Sequence, residues 1–259
     1  MKNVRYILTT NTLNVQLEGV GIFQLSSDDY RFDQAVSLCR EQDFDELVKL
    51  LERNKPILEF SEGEFEVRGR QLYYRGQPVH PFISERVIGF MDSGLPFRPI
   101  LRFIERLSLN PSRRATEELF TFLDHKSLPI TEDGFFLAYK GVREDYRDAW
   151  SGRYLNRVGD TLTMKRSDVD DDARRGCSHG FHAGTLEYAA NYMPTDGHLM
   201  IVKIDPADVV SIPYDCDCQK LRTWKYTVVD EYEGELPDLF FEDDYVEEDD
   251  EEWGWVDES

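Results

Sequence analysis

The chain has 259 residues, a formal net charge of −21 and 13% aromatic residues, enough for one large domain or two small ones with a packed core. Residues 230–259 hold 16 of the 51 acids and no lysine or arginine, so the remainder carries 35 acids against 30 bases, without the basic excess that binding duplex nucleic acid calls for. No apolar run approaches the roughly 20 residues of a membrane helix, residues 1–7 lack the apolar centre of a signal peptide, and Cys39, Cys177, Cys216 and Cys218 suit reduced thiols better than a disulfide framework. The expectation is a cytoplasmic protein with no membrane span.

Residues 4–25 read as short strands around the turn Glu18-Gly19-Val20-Gly21, with Val15 and Leu17 alternating with polar neighbours and Ile22-Phe23 opening another run. Ser27 ahead of Asp28 and Asp29 reads as an N-cap followed by first-turn acids, and Phe32, Ala35, Val36 and Cys39 follow at helical spacing. A second helix opens near Asp43, carries Phe44, Leu47, Val48 and Leu51 on one face, and stops at Asn54-Lys55-Pro56. Three strands are expected next, over 57–60, 64–67 and 71–74, separated by Gly63, Gly69 and Gly76 as in a small meander. After Pro78 the pattern turns helical over 84–91, over 96–107 and again from Ser112 or Ala115, with a break at Asn110-Pro111-Ser112. Residues 128–134 are a linker with turn chemistry.

The second half opens with a near-continuous apolar strand over 135–142, buried on both faces, with Lys140 near its end. Residues 143–175 are polar and irregular, with a turn at Val158-Gly159-Asp160, a short strand over 162–164 and four acids within 168–172. Residues 177–213 organise this half and contain three of the five histidines, His179, His182 and His198. Gly180 and Gly184 let the backbone pass close to itself or to a ligand. Thr185 caps a short helix bearing Tyr188 and Tyr192, and the apolar run over 199–204 is a buried strand. Such a unit displays His182 and the tyrosines at a pocket. A final strand runs over 224–229.

A series of short stretches in this half occurs in a telling order. They include Asn110-Pro111-Ser112, Leu128-Pro129-Ile130-Thr131-Glu132-Asp133-Gly134, Leu137-Ala138-Tyr139-Lys140, Cys177-Ser178-His179-Gly180-Phe181-His182, Pro206-Ala207-Asp208-Val209-Val210 and Lys220-Leu221-Arg222. Together they resemble the RIIB-type proteins of bacteriophages, named for the rapid-lysis locus of T-even phages; the first hundred residues show no comparable motif. The resemblance implies a phage protein made during infection, linked to lysis timing and to resisting host exclusion systems, and it supplies no catalytic residues. A second likeness is to ADP-ribosyltransferase-like folds, carried by Ala138-Tyr139-Lys140-Gly141 and by Gly180-Phe181-His182-Ala183-Gly184-Thr185 with Tyr188 and Tyr192. It implies a pocket that stacks a nicotinamide or adenine on tyrosine and bonds ribose through His182. Glu231 is the available residue for that fold's late-strand glutamate, and it already belongs to the acidic tail.

Other chemistries weigh less. Cys177, His179 and His182 offer three ligand atoms and Cys216-Asp217-Cys218 two more, but zinc cysteine pairs sit two to four residues apart, so neither a metal nor a cofactor is expected. Cys177 and His179 as a nucleophile pair would have to meet in space. Residues 168–172 lack the glycine and distal glutamate of a calcium loop and read as a solvated turn. Lys140, Lys220 and Arg222 either converge on an anion or form salt bridges with the nearby acids. In the tail, nine of the eleven residues 242–252 are acidic, between Phe240-Phe241 and Trp253-Gly254-Trp255; it is a solubilising end, or a peptide that docks on a basic protein partner.

The sequence thus predicts an α+β protein. Its parts are a mixed strand and helix lobe over 1–127, a mostly β lobe over 128–229 and an acidic aromatic tail over 230–259. The expected function is that of a phage accessory protein acting by binding to a host or phage protein. The alternative is a protein that sequesters or modifies an NAD-derived or signalling nucleotide. The ligand-binding candidates are Tyr139, Lys140, His182, Thr185, Tyr188, Tyr192, Lys220 and Arg222.

Overall fold

The computed structural model describes residues 4–234 except 19, 20, 30, 54, 62, 127, 216 and 217. The tail anchors at Phe240-Phe241 and Trp253-Gly254-Trp255, and Cys216 and Asp217, lie outside the described residues.

Three antiparallel strands come first, β1 (Val4–Leu8), β2 (Thr12–Leu17) and β3 (Gly21–Ser26), in spatial order β1-β2-β3. Leu13, Val15 and Leu17 alternate along β2 and share one face. They pack in one cluster with α1 (Phe32–Glu41) and α2 (Phe44–Glu52). α1 starts later than the Ser27 cap predicts. Asp29 accepts the backbone N–H of Arg31 at 2.9 Å and closes a turn ahead of the helix, which has no side-chain cap. α2 does begin at the expected cap, where the Asp43 carboxylate accepts the Glu46 N–H at 3.2 Å. The strand expected over 57–60 is instead α3 (Lys55–Phe60). Pro56 fixes a φ suited to a first helical turn, so here it starts a helix as well as ending one.

β4 (Phe65–Arg68), β5 (Gln71–Tyr74) and β6 (Gln77–Pro78) form the small meander, followed by α4 (Pro81–Asp92), α5 (Arg98–Leu107) and α6 (Arg113–Lys126). The remaining elements are β7 (Phe136–Val142), β8 (Thr161–Thr163), β9 (Phe181–Gly184), α7 (Leu186–Asn191), β10 (His198–Ile204), β11 (Val209–Ser211), β12 (Lys220–Thr223) and β13 (Lys225–Glu231). Their strands make a seven-stranded antiparallel sheet in the order β11-β12-β9-β7-β10-β13-β8. The architecture is α+β. Buried side chains form two clusters, one from Leu13 to Leu51 and one from Ile57 to Val228 that takes in the meander, α4–α6 and the large sheet. No helix among the described residues is long and apolar enough to cross a membrane.

β7 and β10 lie at the middle of the large sheet and pair from Phe136↔Ile204 to Val142↔His198. Strands apolar on both faces demand that placement. β9 meets β7 at the single pair Tyr139↔Gly184, and its other residues pair with β12. Beyond that pair the two strands part, and the split positions the site.

Candidate functional site

The split between β7 and β9 opens into a cavity of about 830 Å³. Tyr139, Lys140 and Gly141 line it from one strand and Phe181, His182 and Ala183 from the other. Tyr188 and Tyr192 enter from α7 and its exit, and Trp150 and Arg153 from the loop over 148–154.

Two glycines set this assembly. A Cβ on Gly141 would come within 2.7 Å of the Ala189 carbonyl oxygen and 2.8 Å of the Met193 Cα, so α7 can lie on β7 only if residue 141 has no side chain. A Cβ on Gly184 would meet the Gln219 carbonyl oxygen at 2.3 Å and the Tyr188 ring at 2.6 Å. The Thr185 hydroxyl accepts the Tyr188 N–H at 3.1 Å and caps α7 as the sequence predicts. The Tyr188 and Tyr192 rings end 4.6 Å apart.

The loop over 148–154 is pinned from within. The buried Asp148 carboxylate accepts the backbone N–H groups of Ser151, Arg153 and Tyr154 at 2.6, 2.9 and 2.8 Å, and the Ser151 hydroxyl at 2.9 Å. Burial opposes the charge on Asp148, but the N–H groups of Tyr154 and Ser151 outweigh it and hold the pKa below the usual carboxylate value. Arg143 donates to the carbonyls of Ala149 and Trp150. On this fixed backbone the Trp150 side chain stands 92% exposed.

The electrostatics inside the split are unusual. Lys140 Nζ donates across it to the His182 carbonyl at 2.9 Å. Burial pushes the Lys140 amine down to about 8, with Asp148 acting in the opposite sense. Burial, then the charges of Lys140, Lys220 and Arg222, push the His182 imidazole down to about 3, so it is neutral at physiological pH. Its Nε2 is buried and has no hydrogen-bond partner among the described residues. Lys220 is 1% exposed, donates to Asp215 at 2.5 Å and lies 5.7 Å from the Tyr188 ring centre. Tyr139 is buried edge-on to Tyr232 at 5.7 Å, and burial pushes its phenol up to about 12.

Of the eight residues predicted from sequence, Tyr139, Lys140, His182, Tyr188, Tyr192 and Lys220 line the cavity. Thr185 and Arg222 do not. Thr185 is used in the helix cap. Arg222 is fully buried and donates to the backbone carbonyls of Asp170 at 2.6 Å, Asp172 at 2.9 Å and Arg175. This also corrects the reading of residues 168–172 as a solvated turn. Asp170 accepts from Ser178, its largest influence, and from Arg175, and together they hold its pKa well below the usual range. The acid-rich run is a buckle closed around a buried guanidinium.

Cys177 and His179 lie on the cavity lining, but His179 Nδ1 sits 2.6 Å from the Asp168 carbonyl oxygen. Among the described residues no three His, Cys, Asp or Glu side chains are grouped to hold a metal ion. Glu231 ends β13 and is not part of the lining; it lies 2.5 Å from His198 Nδ1 and accepts the Tyr146 hydroxyl at 3.1 Å. Sequence reasoning passed over Asp148, Trp150 and Arg153. The Asp148-x-x-Ser151-Gly152 spacing is a turn signal that could have found the loop; nothing in the sequence marks Trp150 as exposed.

The profile of the family described as Bacteriophage T4 protein rIIB matches residues 2–239. Protein rIIB of Enterobacteria phage T4 is 30% identical over 219 residues, covering 85% of this chain and 70% of that protein. No solved structure matches the chain. The likeness therefore extends through the first half, where no motif stood out, and takes in every described residue. With both the fold and the cavity inside that match, the chain belongs to the bacteriophage T4 rIIB protein family.

Proposed function

We propose that this phage accessory protein acts by binding in the cytoplasm of the infected cell, and that it modulates host defence, exclusion or the timing of lysis. The observation that carries the binding reading is the cavity in the sheet split, where a buried, unpartnered His182 Nε2 sits beside the buried amine of Lys140. Leaving a polar atom unpaired and a charge buried both cost stability. Of the buried unpaired atoms among the described residues, which Glu118, Ser211 and Arg222 also carry, only His182 Nε2 belongs to a residue lining the cavity, where a ligand can complete it. Family membership supports the phage setting. Every residue on the cavity lining falls between 139 and 220, inside the segment 128–229 taken as the functional lobe.

The test is a phage encoding Lys140→Met with His182→Asn, plated on permissive and excluding hosts and followed through lysis. The expected outcome is lost plating on the excluding host or shifted lysis, with protein abundance unchanged. Wild-type plating and lysis on both hosts would overturn the reading.

A second reading, that the bound species is an NAD-derived or signalling nucleotide, is favoured by the meeting of tyrosine rings with lysines in one cavity. A protein partner, recruited by the acidic aromatic tail, belongs to the same proposal. Its binding should weaken as salt rises, since the screening length shortens to about 8 Å at physiological ionic strength.

A further inference from the structure

We propose that the cavity takes a nucleoside phosphate in one orientation: its ring at the mouth on Trp150 and Tyr192, its phosphate toward the strand split on Lys140. This rests on the reading that the cavity is where the protein binds, and it adds the ligand's chemistry and direction.

The mouth is aromatic and built to stay so. Trp150 is 92% exposed and Tyr192 56% exposed on the same cavity. An indole with almost its whole surface in water packs no core, and its exposure is imposed by the backbone that Asp148 and Arg143 pin on either side. A ring offered on a rigid loop is a stacking platform that loses little freedom when a planar partner arrives.

The inner end is cationic. Lys220 is matched to Asp215, but Lys140 gives one of its three N–H groups to the His182 carbonyl and keeps two. Arg153, exposed on the same loop as Trp150, adds a cation from the mouth side, and no hydrogen bond or ion pair engages its guanidinium among the described residues. Those donors suit a phosphate. On the split's other strand the cavity meets the neutral His182 with its unpaired Nε2. A ribose hydroxyl can donate or accept and so satisfies either imidazole tautomer. At about 830 Å³ the cavity is far too large for a bare phosphate and lies within the range of about 300–1,000 Å³ typical of small-molecule sites. A ring platform at the mouth, with a hydroxyl partner and a cation at the split, matches the parts of a nucleoside phosphate.

The test titrates the full chain with AMP, NAD, ADP-ribose, a cyclic dinucleotide, adenosine and inorganic phosphate. Binding is followed by tryptophan fluorescence and by calorimetry. At least one nucleotide should bind below about 1 mM and quench the fluorescence, at least tenfold tighter than adenosine or phosphate alone. Trp150→Phe should abolish most of the quench while keeping affinity within about threefold, because a ring remains. Trp150→Ala should lose about tenfold in affinity. Lys140→Met should reduce the nucleotide to the affinity of adenosine. The proposal is overturned if no nucleotide binds to folded protein, if Trp150→Ala and Lys140→Met both leave affinity unchanged, or if phosphate alone binds as well as any nucleotide. A plating defect of the Lys140→Met, His182→Asn phage without nucleotide binding in solution would overturn the ligand class alone. Nucleotide binding without any plating or lysis defect would overturn the parent reading and leave the ligand class standing.

Discussion

Two cationic regions flank β9, one on β12 and one at the split toward β7, and differ in what surrounds the charge. Arg222 stands directly across from His182 in the register, yet its guanidinium turns to three backbone carbonyls and lies 3.8 Å from an Asp170 carboxylate oxygen. Lys140 and His182 sit in the neighbouring split, with one hydrogen bond between them and an imidazole nitrogen left over. Arg222 is fully buried and Lys140 and His182 are half-buried, but the degree of burial alone does not separate scaffold from site. What the cation faces does. Arg222 gives its terminal N–H groups to three carbonyls of one loop, and even its unpaired Nε is sealed in the fold, whereas Lys140 lines an open cavity with two N–H groups to spare.

The largest test of that difference is Arg222→Met. It strands three carbonyls in the buckle over 168–180 and should lower unfolding stability by about 3–5 kcal/mol, read from denaturant melts. A loss below about 1 kcal/mol would mean that the buckle holds without its cation. An ordinary core truncation gives the scale: Ile201→Ala, at the sheet's centre and 2% exposed, should cost about 2–5 kcal/mol in the same melts.

What the sequence could and could not announce follows the same line. β7 and β10 were legible because residues 136–139 and 199–202 are apolar without a break, and such runs belong at the middle of a sheet. The cap of α7 was legible from Thr185, and six of eight candidate residues came together because the glycine turns bring β9 and α7 onto β7. β12 was not legible as a strand. Three of its four residues, Lys220, Arg222 and Thr223, are polar, yet all four are buried, and the acceptors that permit this for Arg222 lie some fifty positions away in the acid-rich loop. α3 was misread because a short apolar run carries no decisive period. Trp150 was missed because exposure of an aromatic residue is set by a tertiary pin, Arg143 on its carbonyl, and leaves no trace in its neighbours.

His182 supplies a pH test of intermediate size. Its pKa is about 3 in the fold against 6.5 unperturbed, so as pH falls below 6.5 the unfolded chain takes up a proton that the folded chain refuses. Stability should fall by up to about 1.4 kcal/mol per pH unit from this group. Between pH 7 and pH 5, His182→Asn should lose about 2 kcal/mol less than the wild type. Equal losses would show that the imidazole is protonated in the fold and already has a partner.

Lys140→Met is the smallest effect and the sharpest test, because its sign differs from that of Arg222→Met. The Lys140 amine falls from 10.5 to about 8 on folding, chiefly through burial, so at pH 7 the fold holds a charge that its surroundings disfavour. Removing it relieves that cost and loses one hydrogen bond to the His182 carbonyl, worth about 0.5–1.5 kcal/mol net. The balance is a gain on the order of 1 kcal/mol, or no change. Below pH 8 both folded and unfolded states bind the proton, and the cost is fully present. Between pH 8 and 10.5 only the unfolded state binds it, so wild-type stability rises with pH through that window and the variant lacks the rise. Between melts at pH 7 and pH 9.5 the wild type should therefore gain about 2 kcal/mol relative to the variant and end the more stable of the two. A variant clearly less stable than the wild type at pH 7, or one that keeps the alkaline rise, would move Lys140 into the same class as Arg222, a cation that holds the fold together.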